Sequence, residues 1–201
     1  MSAFDQLRTF SDHIGTAATD PIADISCCCR LPREIGFYGD LNMRIEAKLK
    51  ELGLELPDEM RTPPGFEAKW TQVRIIGTRA IIAGHGPRAI DGSFAPPAGK
   101  VGSDLTLEQG RLAAANVALA VLGDLKRTIG DLDRIVTWVR ILGLVNAAPG
   151  FTALPQVIDG FTDIMIQLFG HEAAVCPRVV LGAAELALNA PVIVEGEVEF
   201  S

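Results

Sequence analysis

The sequence predicts an α+β fold in which a single sheet carries two helices on one face, its elements running β-β-α-β-α-β-β. Three features carry this prediction. Two helical stripes have recognisable starts and stops, several short apolar runs have strand character, and the length and composition are those of one globular domain. The chain has 201 residues, 48% of them hydrophobic, 21% charged and 6% aromatic, which is enough to build a real core.

Residues 1 to about 42 show no strong periodicity and are broken by Asp20-Pro21 and Leu31-Pro32, so they read as a poorly ordered extension. From Met43 a short helix is expected, with Ile45, Leu49 and Leu52 on one stripe and Gly53 as its stop. A protein starting at Met43 would be complete, with 1–42 an upstream start. Residues 43–65 are then a helix and a Pro-rich link through Pro57, Pro63, Pro64 and Gly65, and the main domain runs over 66–201.

Within it, 70–76 and 80–84 are strand candidates turning at Gly77-Thr78, followed by a Gly/Pro-rich loop from Gly84 to Gly102. Thr106 and Gln109 form a capping box that starts a helix with Leu112, Ala115, Leu119, Leu122, Leu125 and Ile129 on one stripe, ending at Gly130. Arg134 to Val145 is a long strand. Strict alternation puts Ile135, Thr137, Val139 and Ile141 on one face and Val136, Trp138, Arg140 and Leu142 on the other. A second helix follows Pro155, carries Val157, Phe161, Ile164 and Leu168, and closes at Gly170. Strands at about 178–187 and 191–199 finish the chain. Two helices cover only one face of such a sheet, so the other face, bearing Trp138, needs another subunit, and a homo-oligomer is expected.

The net charge of -7 and pI near 5.0 argue against a nucleic-acid partner. No apolar run approaches the roughly 20 residues that span a bilayer. The opening, with Asp5, Arg8, Asp12 and His13, lacks the apolar core of a signal peptide, so no membrane role and a cytoplasmic location are expected. Cys27, Cys28 and Cys29 are consecutive, and neither a CxxC pair nor a His/Cys cluster suggests a metal. Cys176 reads as a buried thiol.

Arg178 opens an apolar strand and Glu195 sits mid-way along the next. If those strands pair, a guanidinium and a carboxylate face one cavity, equipment for gripping a carboxylate substrate and holding a water beside it. The alternative for Arg178 is a structural pair with a surface acid. Glu195, Glu197 and Glu199 share a strand face. Solvation explains the last two, while Glu195 suits water positioning or proton relay. Gly84-His85-Gly86-Pro87 lacks the Lys-Ser/Thr of a phosphate loop, although its glycines allow backbone to approach a ligand. His85 is more readily a loop histidine than a base. No G-x-S-x-G occurs, and His13, His85 and His171 are the only histidines.

Taken in order, Ala83-Gly84-His85-Gly86-Pro87, Gly130-Asp131-Leu132-Asp133-Arg134-Ile135-Val136, Val157-Ile158-Asp159-Gly160, Pro177-Arg178 and Val194-Glu195-Gly196-Glu197 resemble the reactive-intermediate deaminase family (RidA, also called YjgF), from Phe66 to Phe200. The segment Gly99 to Leu105 and the Met43 start resemble a longer bacterial branch. The resemblance implies a chorismate-mutase-like homotrimer with sites at subunit interfaces. It also implies cofactor-free hydrolysis of reactive 2-imino or 2-enamino acids to 2-keto acids and ammonia. Arg178 matches the arginine that forks onto the substrate carboxylate and Glu195 the glutamate that holds the attacking water. The backbone at Gly84 lines the pocket. Trp70 stands where the family usually has tyrosine, Ala83 where serine is common, His85 for glutamine, Asp159 for asparagine and Val180 for a common cysteine. These departures leave a non-catalytic ligand-binding or protein-protective trimer as the alternative. A ribonuclease, suggested by an older family label, is disfavoured by the acidic charge.

Overall fold

The computed structural model describes residues 45–62, 65 and 67–201. The expectations for the 1–42 extension, the Met43 start, Cys27 to Cys29, Pro63, Pro64 and Phe66 lie outside the described residues.

In chain order the elements are α1 (Ile45–Glu51), β1 (Val73–Ile76), β2 (Arg79–His85), α2 (Leu107–Ile129), β3 (Ile135–Asn146), α3 (Leu154–Phe169), a single turn α4 (His171–Ala174), β4 (Arg178–Ala183) and β5 (Val192–Phe200). The β-β-α-β-α-β-β order is therefore present, with α1 ahead of it and α4 inserted after α3. Thr106 and Gln109 close the capping box on α2, and Gly130 ends it at a φ of 88°. Gly77, at a φ of 60°, turns β1 into β2, and Gly170 ends α3.

The five strands lie in the order β1-β2-β5-β3-β4, antiparallel except for the parallel β3–β4 pair. This overturns the expected cavity between the last two strands: β4 and β5 do not pair, because β3 lies between them. Across β3, Leu142 stands opposite both Glu195 and Val179, while Ile141 stands opposite both Gly196 and Arg178. Glu195 and Arg178 therefore point to opposite faces of the sheet.

Helices α2 and α3 cover one face. α2 is buried on all sides from Leu112 to Leu125, sandwiched by the sheet, α3 and the segment after α1. Small residues let the layers close. A Cβ on Gly160 would stand 2.1 Å from the Arg111 carbonyl oxygen, so this glycine sets the α2–α3 approach.

Trp138 is only 3% exposed and stacks edge-on against Phe161 of α3, with ring centroids 5.6 Å apart. It thus belongs to the covered face, not the open one. The physical reason is two irregularities in the β3–β5 register, between Ile135 and Thr137 and between Trp138 and Arg140, each of which shifts the alternation by one residue. The open face instead carries Val136, Leu142, Leu144, Val179 and Leu181. Val136, Val179 and Leu181 are each more than half exposed. No helix among the described residues is long and apolar enough to cross a membrane.

Candidate functional site

Two clefts occupy opposite edges of the sheet. The first lies at the β4 edge and has a volume of about 250 Å³. Ile141, Asp159, Thr162, Ala174, Val175, Cys176 and Arg178 line it. Arg178 is the first residue of β4, and its side chain reaches down to α3. Its Nη1 donates to Thr162 Oγ1 at 3.0 Å and sits 2.9 Å from Asp159 Oδ1. Both contacts use the same nitrogen, so Nη2 and Nε have no protein partner among the described residues. The side chain is 24% exposed. A two-pronged donor at the cleft mouth fits an incoming carboxylate. Asp159 brings one negative charge that such a carboxylate must tolerate. Burial pushes the Cys176 thiol up, with the positive charge of Arg178 pulling the other way. Val180 lies two residues along β4 from Arg178, hence on the same face, and packs against the core.

The second cleft, of about 420 Å³, opens at the β1–β2 side. Trp70, Gly84, His85, Leu188 and Ile193 contribute to its wall, and a strap formed by residues 57–62 closes one flank. Trp70 is 51% exposed. Ala83 has no role for its side chain here: its carbonyl accepts from His85 and its N–H donates to Gln72. Glu195 lines neither cleft. It shares the open face with Glu197 and Arg140, with Arg140 Nη2 3.7 Å from Glu195 Oε1. Glu197 is held from two sides, by Arg79 Nη1 at 2.9 Å and Arg140 Nε at 3.8 Å, so it is an ion-paired ladder member rather than a simply solvated acid.

The His85 ring turns away from the second cleft into the protein, where its Nδ1 meets Ala83 O at 2.6 Å and its Nε2 meets Asp124 Oδ2 at 2.9 Å. Both ring nitrogens are thus committed to partners inside the protein, and neither faces the cleft. Only the backbone of His85 can face a ligand. Asp124 also takes Arg88 Nη2 at 2.8 Å and Arg127 Nη2 at 2.5 Å. Burial opposes its ionisation, but the hydrogen bonds from His85, Arg88 and Arg127 outweigh it and hold the carboxyl far below the usual carboxylate range. The same arginines grip the strap: Arg88 donates to Asp58 O and Arg127 to Pro57 O.

Sequence reasoning missed this network, as well as Thr162 and Leu188. One signal was present. Asp124 is a lone carboxylate in the apolar run Ala113 to Leu125, where a charge must find partners.

A mixed five-stranded sheet backed by two long helices, with ligand-sized clefts at its edges, defines an α+β domain of the chorismate-mutase-like class. The chain belongs to the YjgF family: residues 46–199 match the family model described as "YjgF/chorismate_mutase-like, putative endoribonuclease". It is 30% identical over 158 residues to Protein TCP17 of Trypanosoma cruzi, covering 79% of this chain and 95% of that protein. Among solved structures, the Agrobacterium tumefaciens protein Atu1372, of unknown function, is 29% identical with a TM-score of 0.68, covering 78% of this chain and 94% of that one. A Shewanella oneidensis protein described as a "putative endoribonuclease" is 27% identical with a TM-score of 0.70, covering 79% of this chain and 100% of that one.

Proposed function

We propose that this protein is an enamine/imine deaminase, hydrolysing reactive 2-imino or 2-enamino acids to 2-keto acids and ammonia. The observation that carries the reading is Arg178, seated in a cleft at a sheet edge with Nη2 and Nε unclaimed among the described residues. The substrate carboxylate takes those two donors, which fixes the C=N carbon relative to the protein. Water adds to that carbon, the nitrogen gains a proton, and the carbinolamine expels ammonia to leave the ketone. Imines hydrolyse readily in water, so orientation supplies much of what an enzyme must add.

Arg178 and the Trp70–Gly84 cleft lie at opposite edges of one sheet. For both to serve one substrate, the β4 edge of one copy must meet the β1–β2 edge of the next. A heterologous contact whose rotation closes makes a ring, and the homotrimer is the ring we propose, with intersubunit sites and in the cytoplasm. The exposed Val136, Val179 and Leu181 provide apolar surface for that contact. Glu195 faces the same side as these residues, where a neighbouring copy decides whether it reaches the substrate water.

A second reading is a trimeric ligand-binding module without turnover. It is favoured by the Asp159 carboxylate already paired with Arg178 and by the absence of Glu195 from both clefts. RNA hydrolysis is disfavoured by the net charge of -7 and by a histidine committed to a buried ion network.

The test generates 2-aminoacrylate and bulkier 2-imino acids in situ with a dehydratase or an amino-acid oxidase. Imine disappearance is then followed with wild type and Arg178→Ala. Arginine-dependent acceleration by an intact oligomer is expected. No acceleration of any imine by well-folded wild type would transfer the assignment to the binding module.

A further inference from the structure

We infer that the second cleft is a side-chain subsite for large apolar groups, so that the substrates of this chain are 2-imino acids with branched aliphatic or aromatic side chains rather than the smallest ones. The inference rests on the deaminase reading for the reacting end of the molecule, but not for the preference of the cleft.

Met60, Trp70, Phe94, Leu188 and Ile193 dominate the apolar wall. Each charge at its margin already has a counter-ion. Arg61 Nη1 sits 3.0 Å from Asp91 Oδ2 and the buried Arg88 is spent on Asp124, whose carboxylate also holds the His85 ring by a hydrogen bond. A charged ligand side chain entering here would give up water and gain no partner, whereas an apolar one gains with every methylene buried.

Leu188 shows that the wall is built rather than incidental. It is 75% exposed, above every other large hydrophobic residue described. It also holds a φ of 56°, and Asn189 beside it a φ of 52°. A left-handed conformation is disfavoured for leucine, and the fold sustains it by pinning the turn. Asn146, fully buried, donates through Nδ2 to Asn189 Oδ1 at 3.0 Å, and Gly99 N donates to Asn189 O at 2.8 Å. The pinned turn places an apolar side chain at the cleft rim.

The opposite flank is equally fixed. Met60 Sδ accepts from Gln72 Nε2 at 3.3 Å, Asp58 N donates to Ile90 O, and Arg61 N donates to Gly92 O. Gly92, at a φ of 82°, has no room for a Cβ, which would meet Glu59 O at 2.0 Å. The strap is therefore fitted to the body, and the apolar wall exists before any ligand arrives.

The test is titration calorimetry of wild type with a series of 2-keto acids, from pyruvate through 4-methyl-2-oxopentanoate to phenylpyruvate, with 2-oxoglutarate as the charged member. Imine kcat/KM is measured over the matching side chains. Affinity should rise at least about tenfold from pyruvate to 4-methyl-2-oxopentanoate, with 2-oxoglutarate weaker than either apolar homologue. Leu188→Asn retains a residue tolerant of the left-handed turn and should flatten that gradient to about threefold or less. Met60→Ser, on the other flank, should flatten it too. A gradient that is absent in wild type, or that survives both substitutions, would overturn the inference. So would 2-oxoglutarate binding as tightly as the apolar homologues. A size-graded affinity without imine turnover would support the subsite and sink the deaminase reading. Turnover of imines without a size gradient would do the reverse.

Discussion

If Arg178 grips a substrate carboxylate as proposed, replacing Asp159 with asparagine should make the protein a better binder of that substrate, although Asp159 is the ion-pair partner of Arg178. Asp159 Oδ1 stands 2.9 Å from Arg178 Nη1 and is 44% exposed at the side chain. A substrate carboxylate on the remaining guanidinium donors would lie about 6 Å from that charge, a repulsion of about 0.7 kcal/mol at the dielectric of water and about 3 kcal/mol at an effective dielectric of 20. With Asp159 nearly half exposed, the lower part of that range applies. Asparagine keeps the shape and a carbonyl acceptor for Arg178 while removing the charge. KM for 2-imino acids should fall by about 3- to 10-fold in Asp159→Asn, since about 1.4 kcal/mol is tenfold. kcat should hold, and the gain should shrink as salt is added. Steady-state kinetics at low and high ionic strength measure this directly. An unchanged or higher KM would refute the electrostatic argument. A kcat that collapses at constant KM would show Asp159 taking part in proton transfer instead of merely competing for Arg178.

Two further predictions concern what holds the clefts in place. Asp124→Asn should cost about 3 to 5 kcal/mol in urea unfolding, because it leaves Arg88 and His85 buried against a neutral amide. The folded value for Asp124 is depressed, so its contribution is fully present above the ordinary carboxylate range and is lost as pH falls toward the folded value. The stability gap between wild type and variant should be constant above about pH 5 and narrow below about pH 4. Gly160→Ala should destabilise by about 3 kcal/mol, read as a lowered urea midpoint, because its Cβ would press on the Arg111 carbonyl and force α2 from α3.

Much of the architecture was legible because local chemistry dictated it. The capping box of Thr106 and Gln109, the glycine stops at Gly130 and Gly170 and the turn at Gly77 all depend on neighbours within a few residues, and all stand where they were expected. The strand order was not legible, because nothing local tells β5 to insert between β2 and β3. The assumption that the last two strands pair put Arg178 and Glu195 in one cavity, and the intervening β3 separates them onto opposite faces. Trp138 failed for a different reason. Strict alternation places it beside Val136, but a register shift on either side of it turns it onto the helices. Of the residues picked out from the sequence, Trp70, Gly84 and the His85 backbone meet in one cleft, and Asp159 meets Arg178 in the other. The His85 side chain went to Asp124, a partner 39 positions away that could only be guessed from the oddity of a carboxylate in an apolar helix.

Whether Arg178 grips the substrate carboxylate is read from a ratio of rates. A 2-imino acid and the imine lacking its carboxylate are compared, as kcat/KM, in wild type and in Arg178→Ala of matched oligomeric state. Wild type should prefer the carboxylated imine by about 100-fold or more, the scale of a charge-assisted pair, and the preference should collapse toward unity in the variant. A preference that survives loss of the guanidinium would contradict that grip.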